Sequence, residues 1–201
     1  MPTVGGRRRR RAADARNGGP VEALRDEPRS DEPDADPENV ARAIALRKLA
    51  AAPQTRAQLA DAMARRGVPA DVRDRVLDRF DDVGLIDDAM FARMWVESRH
   101  AGRGLAKKAL AHELRRRGVD SALVDEAVAE LDPEREETTA RALVARRLHS
   151  TRGLDTATRT RRLAGMLARK GYPAGLSFRV VREALEREGV DEAELPSEDG
   201  W

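Results

Sequence analysis

The sequence predicts an all-α protein made of three tandem three-helix repeats of the helix-turn-helix kind, forming an elongated, curved solenoid. Three observations carry this expectation. Aromatic residues are only 3% of the 201 residues and charged residues are 37%, which disfavours a β-sandwich or barrel and favours helices with large solvated faces. Three glycines, Gly67, Gly118 and Gly171, each follow a basic pair or triplet at intervals of 51 and 53 residues. Around each of them the same apolar positions recur, the mark of an internal repeat.

Aligned on those glycines, the chain yields its elements in order. Eight and four residues before each glycine stand Leu59 and Met63, Leu110 and Leu114, and Leu163 and Leu167, spaced to share one helical stripe. Each glycine suits a left-handed helix end, and Arg65-Arg66, Arg115-Arg116-Arg117 and Arg169-Lys170 complement the negative end of the helix dipole. One residue later come Val68, Val119 and Tyr172, and five later Val72, Leu123 and Leu176. Nine and ten later come Val76-Leu77, Ala127-Val128 and Val180-Val181, the face of a third helix that starts after Pro69, Asp120 or Pro173. A first helix precedes each pair, at about 39–51, 88–101 and 134–150. Thr55 with Gln58 has capping-box spacing, and Asp87 or Asp88 can cap the helix that carries Phe91 and Trp95, read as core anchors of the central repeat.

The expected repeats are 40–87, 88–132 and 133–190. Residues 1–39, with five prolines, two Gly-Gly pairs and no apolar periodicity, read as a disordered arm, and 191–201 as a loose acidic tail. The formal net charge of +2 hides a division along the chain. The arm carries eight Arg against nine acids and the tail five acids and no base, leaving 30 bases against 22 acids between them. From 141 to 182 there are eleven bases and one acid, Asp155, a density that points to a polyanionic or acidic partner.

Catalytic chemistry finds little footing. The chain has no Cys, so disulfides, thiolate metal sites and cysteine nucleophiles are excluded, and a cytoplasmic location is expected. His100, His112 and His149 lack metal-ligand spacing, and neither a metal nor a cofactor is expected. Asp81-Asp82 and Asp87-Asp88 read as helix caps around the Gly84-Leu85-Ile86 turn, and Gly102-Arg103-Gly104 lacks the rest of a phosphate-binding loop. Apolar runs are too short for a membrane span, and the residues after the five-Arg run at 7–11 do not form a signal peptide.

What remains is a basic strip. On the helix expected to start at Gly104, Lys108, His112 and Arg115 lie opposite the buried Leu110 and Leu114. The strip comprises Arg99, Arg103, Lys107, Lys108, Arg115 and Arg116, and continues through Arg146, Arg147, Arg152, Arg159, Arg161, Arg162, Arg169 and Lys170. Arginine forks suit phosphates and carboxylates equally, so this pattern does not separate DNA from an acidic protein surface.

Gly84-Leu85-Ile86-Asp87-Asp88, Phe91-Ala92, Trp95-Val96, Arg99, Gly104, Glu113-Leu114 and Arg117-Gly118-Val119 together resemble the central signature of the RecX family, and Arg169-Lys170-Gly171-Tyr172 is similar to its basic-basic-Gly-aromatic junction. The resemblance spans about residues 40–188. It implies three tandem three-helix repeats and a non-enzymatic regulator of the RecA recombinase in DNA repair and the SOS response; a monomer is expected, though nothing in the residues fixes the oligomeric state. Such a protein binds the groove of the RecA filament on single-stranded DNA, limits filament growth, and suppresses strand exchange and ATP hydrolysis. Its implied partners are the RecA filament, single-stranded DNA and duplex DNA, with no membrane. A stand-alone helix-turn-helix regulator acting on duplex DNA is the alternative.

Overall fold

Asp36 opens the first helix by accepting a hydrogen bond from the Glu38 N–H, and Pro37 takes the first helical position, where no N–H partner is needed. The computed structural model describes residues 36–191. Among these residues are nine α-helices: α1 (Pro37–Ala51), α2 (Arg56–Ala64), α3 (Ala70–Asp82), α4 (Asp88–Arg103), α5 (Lys107–Arg115), α6 (Ser121–Ala129), α7 (Pro133–Leu148), α8 (Thr156–Arg169) and α9 (Ala174–Arg187). A 3₁₀ turn, His149–Thr151, follows α7, and no strand occurs among the described residues. The expected arm up to residue 35 and the tail from residue 192 lie outside the described residues. Residues 37–39, expected in the arm, form the first turn of α1.

The helices pack in threes around three cores. Leu59, Met63, Val76 and Leu77 are buried in the first, Leu110, Leu114, Val124 and Ala127 in the second, and Leu163, Leu167, Val180 and Val181 in the third. These are the repeating apolar positions, and removing their surface from water is the main force holding each module together. Caps set the helix starts: Thr55 and Gln58 form a complete capping box, while Asp87, Asp120, Asp132 and Asp155 cap α4, α6, α7 and α8. Asp155, the lone acid of the basic segment, is therefore spoken for. Its hydrogen bond from the Thr158 N–H holds its carboxyl below the usual range.

The three junction glycines close α2, α5 and α8 in one way. Val68, Val119 and Tyr172 each donate an N–H to the carbonyl five residues back, on Met63, Leu114 and Leu167, while Gly67, Gly118 and Gly171 sit at φ of 75°, 77° and 89°. This Schellman arrangement needs the left-handed residue and buries the side chain beyond it against the last helical turn.

Neighbouring modules are joined by a device that repeats. Twelve residues before Gly67 and Gly118 stand Thr55 and Ala106, the N-caps of α2 and α5. The Thr55 hydroxyl donates to the Arg117 carbonyl at 2.6 Å, and the Ala106 N–H donates to the Lys170 carbonyl at 2.8 Å. Each carbonyl directly precedes the junction glycine of the next module. The first N–H of α2 and of α5 is also received by a carboxylate of that next module, Arg56 N by Asp88 and Lys107 N by Glu136, both at 2.9 Å. Burial pushes the Asp88 carboxyl up from its ordinary value, opposed by that hydrogen bond. Twelve residues before Gly171 stands Arg159, already inside α8, so the third module offers no equivalent N-cap.

Candidate functional site

A groove of about 1080 Å³ runs between α5 of the second module and α8 and the start of α9 in the third. The contact that brings these elements together is Gly171 against Ala109: a Cβ on Gly171 would stand 2.5 Å from the Ala109 nitrogen. On the α5 side, Lys108, His112 and Arg116 line the groove at four-residue intervals, and on the α8 side Arg161 and Arg169 do so eight residues apart. Each helix thus sets two cations about 12 Å apart along the groove. Between them lie small residues, Ala109 on one side and Ala164, Gly165 and Ala168 on the other, above the buried rings of Tyr172 and Phe178. Lys108, Arg116, Arg161 and Arg169 are exposed and make no ion pair among the described residues.

Beside the groove, Glu113 gathers a second basic group. Its carboxylate receives the Trp95 Nε1–H at 3.0 Å and lies 3.8 Å from Arg99 and 3.6 Å from Arg103. The half-buried Trp95 ring stacks on Phe91 at 5.7 Å, while the guanidiniums of Arg99 and Arg117 stand 4.1 and 3.7 Å from its centre. Burial, then the neighbouring Arg99 charge, pull the Arg117 pKa down. Phe91 is a core anchor as the sequence suggested, and Trp95, partly buried, packs against the same core while also forming a bed for two arginines. The ring's π-cloud attracts both guanidiniums; Arg99 lies one turn along α4 from Trp95, whereas the approach of Arg117 is not revealed by spacing within one helix.

The remaining residues of the sequence-derived strip fall elsewhere. Arg115 turns to α6 and pairs with Asp125 at 2.7 Å, so it does not share the groove with Lys108 and His112. The Lys170 ammonium donates to the Arg103 carbonyl at 2.6 Å, joining α8 to the end of α4. Lys107 is half-buried at the start of α5, and Arg146, Arg147 and Arg162 are exposed but do not line the groove. The side chains of Arg152 and Arg159 both engage Glu188, leaving Arg159 buried with a further bond to Thr151, and these two arginines leave the strip. Hydrogen bonds from Arg159 and Arg152 hold the Glu188 carboxyl below its ordinary range.

Arg141, Arg179 and Arg182 are likewise paired, with Glu137, Glu183 or Glu186. The high base count from 141 to 182 is thus offset by acids lying just outside that window. Six of its eleven bases form no ion pair among the described residues: Arg146, Arg147, Arg161, Arg162, Arg169 and Lys170.

The other candidate motifs are structural. Gly104 is the left-handed C-cap of α4, buried against Leu143, and α5 starts three residues later than the sequence suggested. Its N–H is bonded to the His100 carbonyl. His100 is buried, with Nδ1 2.9 Å from the Leu105 carbonyl and Nε2 3.0 Å from the Thr139 hydroxyl, a tie between the second and third modules. Of the acidic cluster, Asp87 caps α4, Asp88 serves α2, and Asp81 pairs with Arg56. Among the described residues no group of three or more His, Asp or Glu side chains is placed to hold a metal ion, and no helix is long and apolar enough to cross a membrane.

Comparison with known proteins matches all three modules. Residues 41–80 match the description "RecX, first three-helix domain", 87–128 the second such domain and 134–181 the third. The chain is 57% identical over 184 residues to Regulatory protein RecX of Streptomyces lividans, covering 92% of this chain and 97% of that one. It is also 57% identical over 190 residues to Regulatory protein RecX of Thermobifida fusca, covering 93% and 96%. In fold it is similar to the crystal structure of RecX from Lactobacillus salivarius, with a TM-score of 0.69 and 16% identity over 74% of this chain and 96% of that one.

Proposed function

The chain belongs to the RecX family of regulatory proteins, and from that premise we propose that it is a negative modulator of RecA with no catalytic activity of its own. It binds the RecA filament on single-stranded DNA, in the filament groove, and limits filament growth, strand exchange and RecA's ATP hydrolysis. The observation that supports a binding role is the set of exposed cations left without carboxylate partners among the described residues, from Lys108 and Arg116 through Arg161 and Arg169. Cations on a surface shared by two modules can meet acidic side chains or phosphates over more than one contact, which favours association with a polymer.

The duplex-DNA alternative draws less support. In a helix-turn-helix protein the last helix of the unit enters the major groove and its side chains read bases. Here α6 carries Asp125 and Glu126 and no base, and in α9 Arg179, Arg182 and Arg187 are all paired with glutamates.

The test is the rate of ATP hydrolysis by RecA on single-stranded DNA as the chain is titrated in. Inhibition well below equimolar protein is expected, weakened at least tenfold by Lys108→Glu with Arg116→Glu. No inhibition at equimolar protein overturns the proposal.

A further inference from the structure

The groove between the second and third modules has a feature that its charge does not explain. Ser177, one turn into α9, is only 3% exposed and lines the groove, yet its hydroxyl has no hydrogen-bond partner among the described residues. The position six residues after the junction glycine is Val124 in the second module, which buries no side-chain polar atom, and Arg73 in the first, whose Nε is also buried without a partner but lies away from this groove. A hydroxyl buried without a partner is a cost to the folded chain that an apolar residue avoids. Beside it, α9 begins without a side-chain cap: Pro173 stands at the N-cap and cannot receive the first N–H groups, and Pro173, Ala174 and Gly175 all line the groove. A hydroxyl and uncapped N–H groups at the positive end of a 14-residue helix make a donor set lacking an acceptor.

We propose that this groove docks an acidic segment of a partner protein that carries a bulky apolar side chain. A carboxylate of the segment receives the Ser177 hydroxyl and the first N–H groups of α9, its other acids meet Lys108, Arg116, Arg161 and Arg169, and the apolar side chain rests among Ala109, Ala164 and Ala168. The lining favours a peptide over a nucleic-acid strand. A strand bound without sequence preference is held by bases stacked on exposed aromatic faces. Tyr172 and Phe178 are buried beneath the groove at 4% and 8% exposure and offer no such face. Small residues between paired cations leave room for an apolar anchor, and burying that anchor is worth more than contact with a sugar-phosphate chain. The inference deepens the filament reading by giving the chemistry of the protein partner, but the experiment below contains no recombinase, so each can fail without the other.

The probe is a fluorescein-labelled peptide of Asp, Glu and Ser residues around one central Phe, read by anisotropy against the full chain. Saturable binding is expected, at least tenfold weaker when the Phe is replaced by Ala. Gly175→Trp fills the groove from a position where a Cβ meets nothing within 4 Å, removes no charge, and is expected to weaken binding at least tenfold with unchanged helicity. Ser177→Ala separates the docking role from a structural one. It removes an unsatisfied buried hydroxyl, so thermal stability should stay level or rise while affinity falls roughly fivefold. Absence of peptide binding, equal binding by Gly175→Trp, indifference to the Phe, or displacement of the peptide by an oligothymidylate of equal length each overturns the proposal.

Discussion

Substituting the junction glycines by alanine separates the two reasons a glycine is needed there. At Gly67 the only requirement is conformational: φ is 75° and a Cβ would meet nothing within 4 Å among the described residues. Left-handed alanine costs about 1–2 kcal/mol, partly offset by about 0.4–1 kcal/mol from the stiffer unfolded chain, so Gly67→Ala should destabilise by about 1 kcal/mol. At Gly171 the same strain applies, and the new Cβ also lies 2.5 Å from the Ala109 nitrogen and 2.7 Å from its Cβ. Overpacking of this kind adds about 1–3 kcal/mol, for a total of about 2–4 kcal/mol. At Gly118 the collision is with the Ala57 Cβ, at 2.3 Å. Ala57→Gly should therefore recover most of the packing loss of Gly118→Ala, whereas Ala109→Gly should recover little in Gly171→Ala, where a backbone nitrogen stands in the way. Urea and thermal unfolding followed by far-UV circular dichroism measure all of these. At about 2–4 °C per kcal/mol for a body of this size, Gly67→Ala should lower Tm by a few degrees and Gly171→Ala by about 5–15 °C. Costs at Gly67 and Gly171 that agree within about 0.5 kcal/mol would refute the close-approach argument, as would equal rescue at the two junctions.

Other perturbations test separate parts of the structure. Thr55→Val keeps the shape of a fully buried residue but deletes both its cap on α2 and its bond to the Arg117 carbonyl, and should cost about 2–3 kcal/mol in urea unfolding. Glu188→Gln leaves buried Arg159 without its charged partner and should cost about 1–3 kcal/mol at neutral pH. Because the folded Glu188 carboxyl is held below its ordinary range, its contribution is present above the unfolded pKa and is lost as pH falls through the folded one. The gap between parent and variant should thus shrink on acidification, and a gap that widens contradicts the ion pair. Arg117→Ala should cost about 1 kcal/mol and, in a Trp201→Phe background, increase quenching of Trp95 by iodide; unchanged quenching would show that the guanidinium does not cover the ring.

Periodicity exposed the buried stripes and several of the caps, though not the caps at Asp132 and Asp155 or the true start of α5. The Leu and Met stripes, the three left-handed glycines and the caps at Thr55, Asp87 and Asp120 all act over twelve residues or fewer, and each stands where its spacing suggested. What the sequence concealed lies between modules. Asp88 and Glu136 serve helices 32 and 29 residues upstream, Trp95 owes one of its two guanidiniums to Arg117, and Lys170 reaches back 67 residues to Arg103. The basic strip was legible as composition only, because the acids that neutralise Arg152, Arg159 and Arg179, and one of the two that neutralise Arg141, come from elsewhere in the chain. Ser177 gave no signal, since an unsatisfied hydroxyl is defined by what surrounds it.

The N-cap device that joins the modules has a direction, because in each pair the upstream unit donates from its N-cap and the downstream unit accepts on the carbonyl before its glycine. The array therefore has unlike ends. At its head, the Arg66 carbonyl and Gly67 occupy the accepting position with no described module ahead of them, and the left-handed backbone there is already formed. At its foot, α8 runs straight through the site of the missing N-cap and the Arg159–Glu188 pair fills the space. A fourth unit could be grafted in front of the first with its own Thr-type donor and little other change. Extension at the other end would require α8 to be shortened and its buried ion pair dismantled, so the third module acts as a chain terminator written into the fold.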